Sequence, residues 1–170
     1  IPAAFFEVRV RSRLDGVRYT AAFSVCNPFA VTENRRVPHK RFTAVRMTDP
    51  TRTPADKEYG DLTVAVDAAD GACQEYWYRG GWQDPVTTYW NELCADDLHD
   101  RSYAEAGRGD TCTVAARRTV DAGKAHAFRF ILAWNIPNCY NYWNPRKDET
   151  GADILWKNHY AAVFKDSAAA

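Results

Sequence analysis

The chain has 170 residues, which fits one domain and is long enough to bury a core without metal or disulfide staples. Hydrophobic residues make up 46% and charged residues 26%, and 22 Lys and Arg balance 22 Asp and Glu. A net charge of zero argues against nucleic-acid and membrane-surface partners, which usually need a basic excess, and no apolar run approaches the roughly 18 residues that span a bilayer.

The first half of the chain is typical of short strands separated by turns and loops. Residues 6–10 alternate apolar and charged side chains, Asp15-Gly16 is a hairpin turn signal, and residues 17–25 alternate again. The sequence therefore predicts a β-hairpin over residues 1–25. Further strands are predicted at 42–48, 62–66 and 73–78, and loops at 26–40 and 49–59.

The hydrophobic period then changes to that of a helix. Asp84-Pro85 has the form of an N-cap followed by Pro at the first helical position. A helical stripe follows, formed by Val86, Tyr89, Trp90, Leu93 and Cys94, and it predicts one short amphipathic helix lying on a β structure. After a loop over 95–110, the alternation predicts strands at 111–119 and 126–134, joined by the turn 121–123.

The stretch from His126 to Asp166 holds three of the six Trp residues. Its strand places Phe128, Phe130, Leu132 and Trp134 on one face, and Pro137 ends it because Pro has no N–H for a ladder. An Asn-rich aromatic loop follows. A second helix is predicted beyond it, from the helical spacing of Trp156, Tyr160, Val163 and Phe164.

About seven short strands with turn signals, and no strand–helix alternation, predict the fold class. We expect an all-β dominated domain, an antiparallel β-sandwich with long loops and one or two short helices. The 14% aromatic content fits a β-rich core, and sugar recognition by flat rings is the alternative. Five scattered cysteines without a C-x-x-C pair favour a reducing compartment, with the cytoplasm slightly favoured.

The residues that could carry chemistry form no complete site. The chain has no phosphate-cradling loop and no G-x-S-x-G, and the spacing of Cys94, His99 and Cys112 matches no zinc ligand pair. Glycoside cleavage needs two carboxylates on opposite sides of the scissile bond, but no spacing brings two acidic residues together. We therefore predict no catalytic residue, no metal and no cofactor in this chain.

Three aromatic stretches follow one another in a distinctive order. The first is Glu75-Tyr-Trp-Tyr-Arg-Gly-Gly-Trp-Gln-Asp, followed by Thr88-Tyr-Trp-Asn-Glu-Leu; the second runs from Phe128 to Asn138. The third joins Asn141-Tyr-Trp to Trp156-Lys-Asn-His-Tyr-Ala-Ala-Val-Phe-Lys-Asp-Ser. Together they resemble the N-terminal domain of glycoside hydrolase family 116, which includes β-glucosidases, β-xylosidases and a glucosylceramidase.

The resemblance implies a β-sandwich that packs in cis against a C-terminal (α/α)₆ barrel. The family's nucleophile and acid/base both lie in that barrel, so no residue here inherits a catalytic role. The parent enzyme would be a retaining β-glycosidase with a carbohydrate or glycolipid substrate. Residues 1–166 are then expected to form the sandwich, incomplete at its start, and residues 167–170 to begin a linker or helix toward a missing catalytic domain.

The loop after the last long strand is the candidate contact surface. Asn amides can donate to and accept from sugar hydroxyls, and a Trp ring can stack on a sugar face. The candidate residues, for substrate binding or for an interdomain interface, are Trp134, Asn135, Asn138, Asn141, Tyr142 and Trp143. The first interpretation of the chain is a non-catalytic glycosidase domain. The alternatives are a free-standing carbohydrate-binding module and a structural or protein-interaction domain.

Overall fold

The computed structural model describes residues 1–170 and contains two antiparallel sheets and a two-stranded ribbon. The strands are β1 (Ala3–Arg11), β2 (Val17–Cys26), β3 (Glu33–Val37), β4 (Thr43–Thr48), β5 (Asp61–Val66), β6 (Ala72–Gln74), β7 (Thr111–Val120), β8 (Ala125–Asn135), β9 (Asn138–Tyr140) and β10 (Leu155–Lys157). The first sheet has the order β1-β8-β5-β4-β3, the second β2-β7-β6, and β9 pairs with β10. The all-β dominated prediction is confirmed.

The core lies between the two sheets. The first sheet contributes β-branched and aromatic side chains of β4, β5 and β8, and the second contributes Cys73, Cys112, Val114 and Ala116. Phe130 of β8 is 2% exposed, and its ring centroid lies 5.6 Å from that of Phe23 on β2. The alternation of β2 and β8 therefore predicted their inward faces correctly, because period-two strands bury one side.

The predicted hairpin over residues 1–25 is wrong. β1 pairs with β8 and β2 pairs with β7, so the two consecutive strands belong to different sheets. The turn at Asp15-Gly16 exists, and Gly16 has the positive φ of 65° that favours glycine. This turn carries the chain from one sheet to the other. β1 pairs with β8, which is longer than β2, and β2 pairs with β7, which is longer than β1.

A second corner, between β7 and β8, crosses between the sheets in the same way. The two corners are hydrogen-bonded to each other: the Gly123 amide donates to the Ser12 carbonyl at 2.9 Å, and the Ala122 amide donates to Asp15 Oδ1 at 2.9 Å. The predicted turn 121–123 is therefore present, and it fastens the two sheets together at one end of the sandwich.

Three other predictions need correction. The loop predicted at 26–40 contains strand β3, and the strand predicted over 73–78 is regular only to Gln74. The helix predicted from Trp156 to Phe164 is absent, because Trp156 pairs with Cys139 in the β9–β10 ribbon. One turn of 3₁₀ helix, His159–Ala162, follows. A second, Ser167–Ala169, packs on β5 through a 2.7 Å bond between the hydroxyls of Ser167 and Thr63.

Candidate functional site

The candidate residues at the end of β8 are part of the framework. Asn135 and Asn138 are each 4% exposed. The Asn135 side-chain amide donates to the Lys165 carbonyl at 3.2 Å, and that of Asn138 donates to the carbonyls of Pro54 and Asp56. Trp134 is half-buried on the same strand. The two Asn side chains tie the segments around 54–56 and 165 to the sandwich, while Asn135 Oδ1 is buried and accepts no hydrogen bond.

The candidate residues of the loop itself are presented to solvent. Asn141 Oδ1 accepts hydrogen bonds from the amides of Trp143 at 3.2 Å and Asn144 at 3.0 Å, which is the geometry of an Asx turn. That turn holds Trp143 with 99% of its surface exposed and Tyr142 with 75% exposed. The six candidates therefore separate into three framework residues and a turn that displays two aromatic rings.

Sequence reasoning missed Lys57, which lies against this turn. Its ammonium donates to the Tyr142 hydroxyl at 3.2 Å and stands 4.8 Å from the centroid of Tyr140. The hydrogen bond to Tyr142 raises the pKa of Lys57 above its ordinary value. Lys57 belongs to the loop 49–59, whose polar sequence gives no signal of this contact. A cation over the two tyrosine rings favours one orientation of the displayed loop.

A second exposed aromatic surface lies on helix α1, which runs from Asp84 to Cys94. The helix and its Pro-containing start are confirmed, although Gln83 rather than Asp84 occupies the N-cap. The predicted stripe does not all face the sheet: Val86 is 52% exposed, Trp90 is 60% exposed and Cys94 is exposed. Together with the fully exposed Trp82, they form an apolar outer face that we call the α1 outer face.

One aromatic contact and several polar contacts hold α1 against the second sheet. The Tyr89 ring stacks on Trp77 with centroids 4.2 Å apart, which is the helix's main aromatic contact with the sandwich. Glu92 accepts a hydrogen bond from the buried Gln74 at 2.6 Å and pairs with Arg101. One turn further on, just past the helix end, Asp96 pairs with Arg117. Apolar periodicity indicated the Tyr89 contact but not those of Glu92 and Asp96, because these two side chains are charged.

Acid should loosen the attachment of α1. Burial acts to raise the pKa of Glu92, but hydrogen bonds from Arg101 and Gln74 outweigh it and hold the pKa below its ordinary value. A carboxylate with a lowered folded-state pKa stabilises the fold above its unfolded pKa and loses that contribution as the pH falls through the folded value. We therefore expect the thermal midpoint to fall less steeply below pH 4.5 in Glu92→Gln than in the unchanged protein. Parallel midpoint curves, followed by circular dichroism, would contradict this assignment.

The motif around Arg79 also serves the framework. The Arg79 guanidinium makes two 2.8 Å hydrogen bonds to the Asp110 carboxylate and lies between the rings of Tyr76 and Tyr103, at 4.8 and 4.3 Å. Asp110 also accepts from the hydroxyl of Thr32. This cluster joins three loops that carry no regular structure, and we call it the Arg79 cluster.

Four of the less exposed acidic side chains pair with arginines. Asp61 pairs with Arg46, and Asp110 with Arg79, as Glu92 and Asp96 do with their own arginines. No group of three or more His, Cys, Asp or Glu side chains is placed to hold a metal ion, and all five cysteines are free thiols. No helix has the length and apolar character needed to cross a membrane.

The two antiparallel sheets, packed around one core, define the class of the domain as an all-β sandwich. Residues 1–170 match the family described as beta-glucosidase 2, glycosyl-hydrolase family 116 N-term. The chain therefore belongs to the family of glycoside hydrolase family 116 N-terminal domains. No curated protein matches it. An N-terminal domain of this family implies a catalytic domain on the same polypeptide.

Proposed function

We propose that this domain is a non-catalytic support for the catalytic barrel of a family 116 glycosidase, and that the loop carrying Tyr142 and Trp143 packs against that barrel. The observation that carries the proposal is Trp143, whose backbone amide is held in an Asx turn and whose surface is 99% exposed. A large apolar side chain that an ordered turn presents to solvent is typical of an interface anchor. The exposed indole itself gives the isolated domain little stability.

The chemistry of the parent enzyme is then supplied elsewhere. In this proposal the barrel holds the nucleophile and the acid/base of a retaining β-glycosidase, and a carbohydrate or glycolipid binds there. The poorly exposed carboxylates of Asp61, Glu92 and Asp110 are used in ion pairs with arginines, which supports a non-catalytic role. Residues 1–166 make the sandwich, and residues 167–170 begin the connection to the barrel.

The test is Trp143→Ala in the intact two-domain protein. We expect the free energy of interdomain association to fall by about 2 kcal/mol, the usual size for a buried Trp anchor, and the thermal midpoint to fall with it. Trp82→Ala is the matched control, since Trp82 is equally exposed but lies beside α1. In the isolated domain both substitutions should leave the midpoint unchanged. An unchanged midpoint in the two-domain Trp143→Ala protein would contradict the proposal.

The same variant tests whether the loop also lines the sugar pocket. If Trp143 touches the substrate, KM rises along with the loss of stability. If KM stays constant while stability falls, the loop contacts only the barrel. We propose the second outcome, because Asn135 and Asn138 are each 4% exposed and their side-chain N–H groups bond to backbone carbonyls of the framework, which leaves them out of reach of sugar hydroxyls.

A free-standing carbohydrate-binding module is the second candidate, and the exposed Tyr142 and Trp143 rings favour it as a stacking platform. It predicts measurable glycan affinity for the 170-residue chain alone. Calorimetry with gluco- and xylo-oligosaccharides distinguishes the two candidates. If mixing releases no heat, the supporting role is favoured over the carbohydrate-binding module.

The third candidate is a protein-interaction domain, which the exposed α1 outer face favours. It predicts self-association that Trp90→Ala would abolish.

A further inference from the structure

The first strand leaves one edge of the larger sheet unpaired. β1 pairs with β8 from Ala3↔Ala133 to Arg11↔Ala125, and outside this pairing no hydrogen bond reaches the backbone of residues 4–10. The five residues Phe5 to Arg9 are all exposed, with Phe5 at 69% and Val8 at 47%. A long, exposed edge presents a row of unpaired N–H and C=O groups that another strand can use.

The opposite edge of the same sheet is protected. The Asn34 amide of β3 donates to the Tyr76 hydroxyl at 2.8 Å, and the Arg36 amide donates to the Glu75 carboxylate. These two side chains occupy donors that a further strand would need. β1 has no such protection, so the two edges of one sheet differ in what they offer to a partner.

The side chains of β1 are complementary to those of a second copy in antiparallel orientation. When Val8 lies opposite Val8 of the second copy, Glu7 of each copy lies opposite Arg9 of the other. This register therefore places two pairs of opposite charges across the two-fold axis. On the other face Phe6 lies opposite Val10 of the second copy. Directly opposed strand residues have Cβ atoms about 5 Å apart, so opposite charges and apolar pairs both stabilise this register.

Neighbouring registers lack this complementarity. Centring the two-fold on Glu7 places two Glu side chains opposite each other. Centring it on Arg9 opposes two Arg side chains, although it also places Glu7 opposite Arg11. Centring it on Phe6 leaves Glu7 opposite Phe5, with no ion pair. Like charges directly opposed destabilise an antiparallel pair, so of these registers the one centred on Val8 opposes unlike charges without opposing like ones. Within one copy Glu7 already pairs with Arg9 at 2.5 Å and with Arg129 at 3.0 Å, and the contact between copies would extend this charge network. β2, the edge of the second sheet, carries a single charged residue, Arg18, and offers no comparable pattern.

We propose that two copies of this chain associate through an antiparallel β1–β1 ladder centred on Val8, with reciprocal Glu7–Arg9 ion pairs, which joins the two five-stranded sheets into one. The contact is isologous, because each copy presents the same strand to the other. This contact is separate from the loop that carries Tyr142 and Trp143. Residues 8–11 of β1 pair with the first residues of β8, whereas the loop follows the last residues of β8.

The test uses charge reversal and its rescue, followed by sedimentation velocity over a range of concentrations. Glu7→Arg and Arg9→Glu should each weaken dimerisation about tenfold or more, since each replaces two attractive pairs with two repulsive ones. The double variant Glu7→Arg/Arg9→Glu should restore the dimer. An equimolar mixture of the two single variants should form a heterodimer, because one carries only positive and the other only negative charges at these positions.

The control variant is Glu33→Arg on β3, an edge residue of the same sheet that should leave dimerisation unchanged. Circular dichroism confirms that each variant is folded, as expected for exposed side chains. A monomer at all concentrations of the unchanged protein would overturn the proposal, as would failure of the double variant to associate. Protection of β1 amides from hydrogen exchange that does not depend on concentration would also overturn it, because it would assign the edge to a strand of the same polypeptide.

Discussion

Replacing Arg79 with Met should lower the free energy of unfolding by about 3–5 kcal/mol, the usual cost of removing one partner from a buried ion pair. The Asp110 side chain is 6% exposed, and it loses both guanidinium hydrogen bonds. A buried carboxyl group left with only the Thr32 hydroxyl as a side-chain partner is the main cost, and the loss of stacking on Tyr76 and Tyr103 adds to it. For a chain of this length, the thermal midpoint should fall by roughly 6–20 °C.

A double-mutant cycle separates the ion pair from simple loss of packing. Asp110→Asn removes the charge that Arg79 neutralises, so Arg79→Met/Asp110→Asn should be markedly more stable than the sum of the two single effects predicts. Arg108→Met is the matched control, because Arg108 is exposed and should change stability by less than about 0.5 kcal/mol. Additive single effects, measured by urea unfolding, would show that the two side chains do not stabilise one another.

Phe130→Ala should cost about 3–5 kcal/mol for a different reason, the cavity it leaves between the sheets. Phe130 is 2% exposed on β8, a strand paired on both sides, so the surrounding backbone cannot collapse into the space. The substitution also removes the ring contact between the sheets that Phe130 makes with Phe23, whose centroid lies 5.6 Å away. The urea midpoint should fall with little change in the slope of the unfolding free energy.

Two further substitutions test whether the loss of stability comes from the buried position of Phe130. Phe130→Leu retains most of the volume and should cost less than about 1.5 kcal/mol. Phe5→Ala removes an identical side chain from the exposed edge strand and should have an effect of less than about 0.5 kcal/mol at concentrations where the protein is monomeric. If Phe130→Ala were no worse than Phe5→Ala, Phe130 would not form part of the core.

The strands with clear alternation could be predicted because each buries one face. The pairing of β1 and β2 could not, because Asp15-Gly16 signals only a local turn and is silent on which strands become neighbours. β3 was missed since Glu33–Val37 is mostly polar, and its backbone is satisfied by side chains from Glu75 and Tyr76. Local patterns identify elements, whereas partners distant in sequence decide how the elements are arranged.

In the candidate loop, the local sequence likewise did not predict which single residues face solvent. Asn-rich composition suggested a polar binding surface, but Asn135 and Asn138 form hydrogen bonds within the fold and Asn141 shapes the turn. Only Tyr142 and Trp143 are displayed. The apolar stripe of α1 was predicted to lie on the sheet, but only part of it does: Tyr89 stacks on Trp77, whereas Val86 and Trp90 face solvent.

The β1–β2 and β7–β8 corners both lead from one sheet to the other, and this affects how the chain folds while it is being synthesised. Glu7 and its partner Arg129 are 122 residues apart in the chain, and the Gly16 amide meets Asp121 across 105 residues. Neither β1 nor β2 can complete its ladder before β7 and β8 have left the ribosome. An emerging chain therefore holds two apolar strands without partners through most of translation, a period in which a folding chain is prone to aggregation. Slowing elongation before residue 111 should therefore reduce the soluble yield, whereas slowing it after residue 135 should not.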